Sequence, residues 1–229
     1  LISILRVVEK TKPNSFIFSS SCAVYGDIGI NPVTEESDTD KQESIYALSK
    51  KLGEDIILGY SGRNGNNTTF YILRYFNPIG SDHELKIGEN PRKDNFNVAG
   101  HLLKCESDSL SFKIYGNDYL TPDGTCIRDY INITDLANSH YVCAISKGPN
   151  RINTYNVGTG IGNSVLSLIS SFNEVTGKDP IRVEISGRRD GDIESVWADS
   201  SKIEKELGWK ASRGIIDSLR SAYLYRSKK

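Results

Sequence analysis

The 229-residue chain has no methionine, only four cysteines and three histidines, and its positive and negative side chains almost cancel, leaving a net charge of −1. Each scarcity removes a class of function. Balanced charge gives no wholesale attraction to nucleic acid or to an anionic membrane, so any anionic ligand must be held by local basic residues. Cys22, Cys105, Cys126 and Cys143 have neither metal-ligand spacing nor the density of a disulfide framework, and they read as reduced structural thiols. His83, His101 and His140 stand alone, so no metal site is expected and none of them is assigned a base role. No apolar run approaches the roughly 20 residues of a membrane span, and the opening Leu1-Ile2-Ser3-Ile4-Leu5-Arg6 lacks the layout of a signal peptide. The expectation is a cytoplasmic protein. Lacking Met even at its first position and opening inside an amphipathic pattern, the chain reads as part of a longer polypeptide.

What is present is an alternation of strands and helices, which indicates an α/β protein. Leu1, Ile4, Leu5 and Val8 recur at helical spacing up to Pro13. Ser15-Phe16-Ile17-Phe18 is a short continuous apolar run of the kind buried on both faces of a parallel sheet, and it empties into Ser19-Ser20-Ser21. Residues 26–43 read as a loop, 46–60 as a helix, 64–67 as a turn and 68–75 as a strand closed by Phe76-Asn77-Pro78-Ile79-Gly80. A polar loop over 81–95 follows, then a helix near 98–105 and strands at 112–115 and 129–133. A helix over 134–147 is expected with Thr134 as its N-cap. Another strand and helix (153–157, 164–176), a strand (181–185) and two helices (200–207, 215–226) complete the chain.

Tyr46 and Lys50 stand four apart on one helix face, where an ammonium would favour the phenolate and make a base. Spacing alone does not select them, since Tyr225 and Lys229 repeat it. Surroundings do: Ser21 lies at the carboxyl end of a strand just upstream, where open α/β sheets place their ligands. The stretch Asn156-Val157-Gly158-Thr159-Gly160-Ile161-Gly162-Asn163 imitates a dinucleotide fingerprint but has Asn163 where the third glycine belongs, and it is read as a structural turn.

Four segments converge on a family: FIFSSSCAVYG (16–26), YALSK (46–50), LRYFNPIG (73–80) and DGTCIRDYINITDLA (123–137). They resemble the UDP-glucose 4-epimerases, extended short-chain dehydrogenase/reductases; NVGTGIGNSV (156–165), RRDGD (188–192) and WADSSK (197–202) follow in the same order. The resemblance implies a Rossmann-like parallel sheet, of which residues 1–80 would carry the carboxyl-terminal part. A smaller α/β domain for the UDP-sugar would occupy 81–229, with about 129–147 returning to the first part. It implies NAD as a transient hydride store, Tyr46 as the base at the sugar 4-hydroxyl, Lys50 as its electrostatic partner and Ser21 as a proton-relaying hydrogen-bond partner. Ser21, Tyr46, Lys50, Tyr75 and Phe76 would meet the cofactor. The UDP-hexose would be held by Asn77, Asn97, Val98, Lys113, Ile114, Tyr115, Arg128, Arg189 and Asp192, arginine suiting a diphosphate because its planar fork donates two hydrogen bonds. Val196, where family members carry either a bulky Tyr or a smaller residue, would gate N-acetylated sugars. A homodimer through the first helix and the Tyr46 helix, with Leu52 and Ile56, is also implied.

Departures set limits. The Gly-rich, pyrophosphate-binding first half of the family's sheet has no counterpart, so these residues alone are expected neither to retain NAD nor to epimerise, and to leave a sheet edge unpaired. Cys22 and Ala23 stand where a 4,6-dehydratase needs an acid, which argues against elimination. A decarboxylating relative and a non-catalytic UDP-sugar-binding fragment remain as alternatives.

Overall fold

The computed structural model describes residues 1–61, 67–89 and 97–228. The turn expected at 64–67, the later part of the 81–95 loop and Lys229 fall wholly or partly outside the described residues. In chain order the elements are α1 (Ile2–Thr11), β1 (Ser15–Ser21), a single 3-10 turn (Cys22–Tyr25), α2 (Ile45–Ser61), β2 (Thr69–Tyr75), β3 (Asn77–Ile79), α3 (Val98–Ser107) and β4 (Phe112–Tyr115). They continue with β5 (Ile127–Asn132), α4 (Ile133–Ile145), β6 (Ile152–Val157), β7 (Gly162–Ser164), α5 (Val165–Thr176), β8 (Val183–Ser186), β9 (Ser195–Val196), α6 (Ser201–Leu207) and α7 (Ile215–Ser227).

β1, β2 and β6 form a parallel sheet in that order. Successive side chains of a strand point to opposite faces, and β2 uses both. Phe70 and Ile72 pack with Leu5, Val8 and Ile57 of the helices on one side, while Tyr71 and Leu73 pack with Ile131, Tyr155 and Val157 on the other. β1 is used in the same way, Phe16 and Phe18 on the first side and Ile17 on the other, and that double burial is why Phe16-Ile17-Phe18 reads as a run.

A second sheet is built on β5, which runs parallel to β3 and β9 and antiparallel to β7. A third pairs β4 with β8 in parallel. α3, α5 and α7 cover these sheets with Leu102, Leu168, Phe172 and Leu219 against Ile79, Phe112, Ile114 and Tyr130.

The structure departs from the sequence expectations in two places. α4 begins one residue early and is capped by Asn132, whose side chain accepts from the Thr134 amide at 2.8 Å. Thr134 is therefore inside the first turn, with its hydroxyl buried and unpartnered, and it is not the cap. β3 forms where only a strand terminator was read, because three residues leaving one sheet to join another carry no periodicity. Ile131, Leu136 and Cys143 of the 129–147 segment pack on the first sheet with Tyr71 and Leu73, while the later strand that pairs with β2 is β6 and β5 pairs with β3.

Candidate active site

The carboxyl ends of β1 and β2 lie side by side, with Ser21 opposite Tyr75. Ser21 caps the 3-10 turn: its Oγ accepts from the Ala23 amide at 3.2 Å, which leaves the hydroxyl proton to be given outward. Ser44 holds the start of α2 by accepting from the Ala47 amide at 3.1 Å. That capping sets Tyr46 in the first turn, 56% exposed. One turn on, Lys50 Nζ donates to the Ser19 carbonyl at 3.0 Å and lies 5.4 Å from the centre of the Tyr46 ring. The ammonium is thus anchored by a neutral carbonyl, a contact that does not cancel its charge.

Tyr75 donates to Ser19 Oγ at 2.7 Å and is joined through the same hydroxyl to His140 Nε2. Burial raises its pKa, against the Ser19 hydrogen bond. Phe76 packs its side chain into a cluster with Val24, Tyr25, Val33, Val196 and Ala198, so only its backbone is offered to a ligand.

Beyond Phe76 the chain enters a cavity of about 490 Å³ lined by Asn77, Pro78, Ile79, Asn97, Val98, His101, Phe112, Lys113, Ile114, Tyr115, Cys126, Arg128, Tyr130, Val165, Arg189 and Asp192. Nine of the ten residues expected to hold the sugar nucleotide are in that lining. Val196 is not: it is 2% exposed, with its side chain in the Phe76 cluster. Asn97 caps α3 by accepting from the Gly100 amide at 2.9 Å and donates to the Pro78 carbonyl at 3.3 Å. Among the described residues Asn77 Oδ1 is buried with no hydrogen-bond partner, a cost of about 1–3 kcal/mol unless a donor arrives. Arg189 lies over Tyr115 at 4.0 Å, a cation held on a ring at the cavity wall. Arg128 is spoken for already: Nη2 reaches Asp192 Oδ1 at 2.8 Å and the Ile193 carbonyl at 2.7 Å, and Nη1 the Ile127 carbonyl at 2.9 Å. The Arg128–Asp192 ion pair joins two residues that had been read as separate ligand contacts.

The glycine-rich turn after β6 cradles an anion, though not a phosphate. Asp129, 0% exposed on β5, accepts from Thr159 N at 2.9 Å, Thr159 Oγ1 at 2.6 Å, Gly160 N at 3.0 Å and Ala198 N at 3.2 Å. A Cβ on Gly158 would come within 2.5 Å of the same carboxylate, so glycine is required for the close approach. The turn is structural, and its nest is filled from within.

Residues 1–221 match the family described as GDP-mannose 4,6 dehydratase. The chain belongs to that family. Among curated relatives it is 39% identical over 228 residues to a UDP-arabinose 4-epimerase 1 of Arabidopsis thaliana, covering 97% of this chain and 54% of the relative. It is 39% identical over 213 residues to a UDP-glucose 4-epimerase of Bifidobacterium longum subsp. longum, covering 93% and 62%. The chain therefore spans little more than half the length of these relatives. The crystal structure of UDP-glucose 4-epimerase from Bifidobacterium longum in complex with NAD+ and UDP superposes with a TM-score of 0.92 at 39% identity, over 99% of this chain and 68% of that one. The UDP-glucose-4-epimerase from Stenotrophomonas maltophila, with bound NAD and formylated UDP-arabinopyranose, gives 0.93 at 34%, over 99% and 67%.

One feature of this family member escaped the sequence reading. Glu54, 3% exposed on α2, meets Arg74, 7% exposed on β2, through Nε–Oε1 at 3.1 Å and Nη2–Oε2 at 2.7 Å. Arg74 Nη1 reaches Tyr25 Oη at 3.0 Å, and Tyr25 donates to Asn156 Oδ1 at 2.6 Å. The signal available was spacing: Glu54 stands four residues beyond Lys50 and eight beyond Tyr46, on the same helix face.

Proposed function

We propose that the chain is the catalytic and sugar-nucleotide-binding portion of an NAD-dependent UDP-sugar 4-epimerase, with UDP-glucose and UDP-galactose as the interconverted pair. The observation that carries the reading is the cavity, in which the unpartnered Asn77 Oδ1, Arg189 on its tyrosine and the Arg128–Asp192 pair converge directly downstream of the strand end bearing Tyr75. A diphosphate brings negative charge that arginine forks match. A ribose or base N–H or O–H would satisfy Asn77. A specific observation also favours a UDP-pentose substrate: the 39% identity to the UDP-arabinose 4-epimerase of Arabidopsis thaliana. Elimination, the reaction in the family's name, is disfavoured by Cys22 and Ala23, since burial pushes the Cys22 thiol up to about 12 and makes it a poor acid at neutral pH.

The residues present fit the reacting end of NAD. An exposed phenol, a lysine held on a strand-end carbonyl and a serine with a proton to give sit at the carboxyl edge of a parallel sheet. Among the described residues the one glycine-rich nest at a strand end is occupied by Asp129, so these residues offer no second cradle there for a pyrophosphate. NAD, when bound, would supply reversible hydride transfer at carbon 4 of the sugar. Tyr46 Oη would accept the 4-hydroxyl proton and give it back, Ser21 Oγ would hold the reacting oxygen, and Lys50 Nζ would stabilise the phenolate. UDP stays fixed in the cavity while the sugar presents its other face, so binding energy must come mainly from the nucleotide.

Calorimetry of this chain with UDP tests the binding half: saturable UDP binding is expected, and its absence removes the reading. Arg189→Ala is expected to weaken that binding by about 10- to 100-fold, since a charge-assisted hydrogen bond contributes about 1.5–3 kcal/mol. Titration with NAD separates an enzyme complete in this chain, which would bind both ligands, from a portion that binds UDP alone. Exposed Ile4, Val7, Ile45, Leu48 and Leu52 on α1 and α2 support the proposed homodimer contact.

A further inference from the structure

The catalytic helix is fastened to the sheet at two consecutive levels. The first is visible in the reacting pair itself: Lys50 Nζ on the Ser19 carbonyl at 3.0 Å. The second lies one turn deeper. Ser20 and Arg74 are register partners across β1 and β2, and both side chains converge on the Glu54 carboxylate, Arg74 by two hydrogen bonds and Ser20 by its hydroxyl. Those strand positions come one residue before Ser21 and Tyr75, where the sheet opens to ligand.

We propose that Glu54 is a positioning residue: its clasp on Arg74 and Ser20 fixes the height and rotation of α2, and so sets Lys50 against Ser19 and Tyr46 beside Lys50. A buried ion pair is weak evidence of stabilisation, because the desolvation of two charges offsets their attraction. What it does supply is geometry, since a bidentate guanidinium–carboxylate contact tolerates little sliding. The far side of Arg74 is held as well, by Tyr25 Oη at 3.0 Å and the Glu35 carbonyl at 3.2 Å, so the clasp also ties α2 to the 3-10 turn and to the loop that follows it. Tyr25 continues to Asn156 at the end of β6, the strand that leads into the Asp129 nest. The helix carrying the base is thereby referenced to the part of the chain that shapes the cavity side. The role in catalysis rests on the epimerase reading; the clasp and its effect on Lys50 do not.

Competitive acetylation of lysines, mapped by mass spectrometry on the purified chain, tests it directly. Lys51 serves as the internal reference, because its 2.6 Å contact with Asp55 lies within the same helix and survives any rigid movement of it. In Glu54→Gln, Lys50 is expected to label about tenfold faster than in wild type with Lys51 unchanged. Because Glu54→Gln leaves Arg74 buried without its carboxylate, a second variant is included: Glu54→Gln combined with Arg74→Met removes both charges and is expected to fold and to give the same labelling. Ile57→Val, a core change on the same helix, is expected to lower the melting temperature and leave Lys50 labelling as it is. Lys50 labelling within twofold of wild type in the folded variants overturns the proposal, as does failure of the double variant to fold, which would make the pair purely structural. Equal acceleration of Lys50 and Lys51 also overturns it, since that reports melting of the helix. Failure of the wild type to bind UDP would count against the functional reading and leave the clasp standing.

Discussion

Asp129→Ala should lower the stability of the chain by about 4 kcal/mol, read as a fall in the urea midpoint without a change in slope. The carboxylate is the acceptor for three backbone amides, Thr159, Gly160 and Ala198, and for the Thr159 hydroxyl, all in a fully buried position. Removing it strands several donors at about 1–3 kcal/mol each, softened where water enters the space the side chain leaves. Asp129→Asn should recover part of the loss, since an amide keeps one accepting oxygen and turns a donor towards the remaining N–H groups. The pH dependence has a definite sign. Burial raises the Asp129 pKa, in opposition to the hydrogen bonds from Thr159, Ala198 and Gly160. The folded chain therefore binds this proton up to a higher pH than the unfolded chain, and the contribution of Asp129 to stability falls as pH rises from about 4 through the raised value. The gap between wild type and Asp129→Ala should accordingly be wider at pH 4 than at pH 7. An unfolding free energy for Asp129→Ala within about 1 kcal/mol of wild type would show that the nest does not need this carboxyl group.

That nest also marks the limit of what the sequence could tell. The glycine spacing after β6 was legible as a turn because its third position is Asn163, but the anion inside it comes from Asp129, about thirty positions earlier and on a different sheet. No local pattern links them. Helices and long strands were legible for the opposite reason: α1 and α5 bury residues at helical spacing and β2 carries a continuous apolar run over 70–73, and both patterns are written in the chain. The short strands β3, β7 and β9 span two or three residues each and exist only because β5 passes beside them. Thr134 was a reasonable cap until the helix began one residue sooner with Asn132 available, and only the backbone geometry chooses between them.

The cavity residues were legible through the resemblance of ordered blocks, and most of them meet around one space. The exceptions are instructive. Val196 follows the family pattern in sequence, yet β9 turns its side chain into the cluster around Phe76 rather than toward the cavity. Arg128 and Asp192 were each read as a ligand contact, and they bind each other first. A ligand phosphate at Arg128 would therefore compete with, or add to, an ion pair already made, so Arg189, exposed and, among the described residues, held on the Tyr115 ring, is the more available cation.

On the proposed epimerase reading, Tyr46→Phe should reduce kcat for 4-epimerisation by about 10³-fold or more in the NAD-loaded enzyme, because the variant keeps the ring and loses the atom proposed to accept and return the proton. The affinity for UDP should not change, since Tyr46 is outside the cavity lining and its ring is exposed at the start of α2. The variant should also fold as wild type does: an exposed hydroxyl at a helix start contributes little to stability. This combination distinguishes the proposed base from a residue that merely shapes the site, which would shift KM or the melting temperature along with kcat. Lys50 makes the contrast sharper. Its ammonium is tied to the Ser19 carbonyl, so Lys50→Met should lower kcat and also loosen the seat of α2 on β1. Full epimerisation by Tyr46→Phe, to within tenfold of wild type, would mean that another group moves the proton. Tyr75, linked to Ser19 and to His140 at the same sheet edge, would then be the first group to replace.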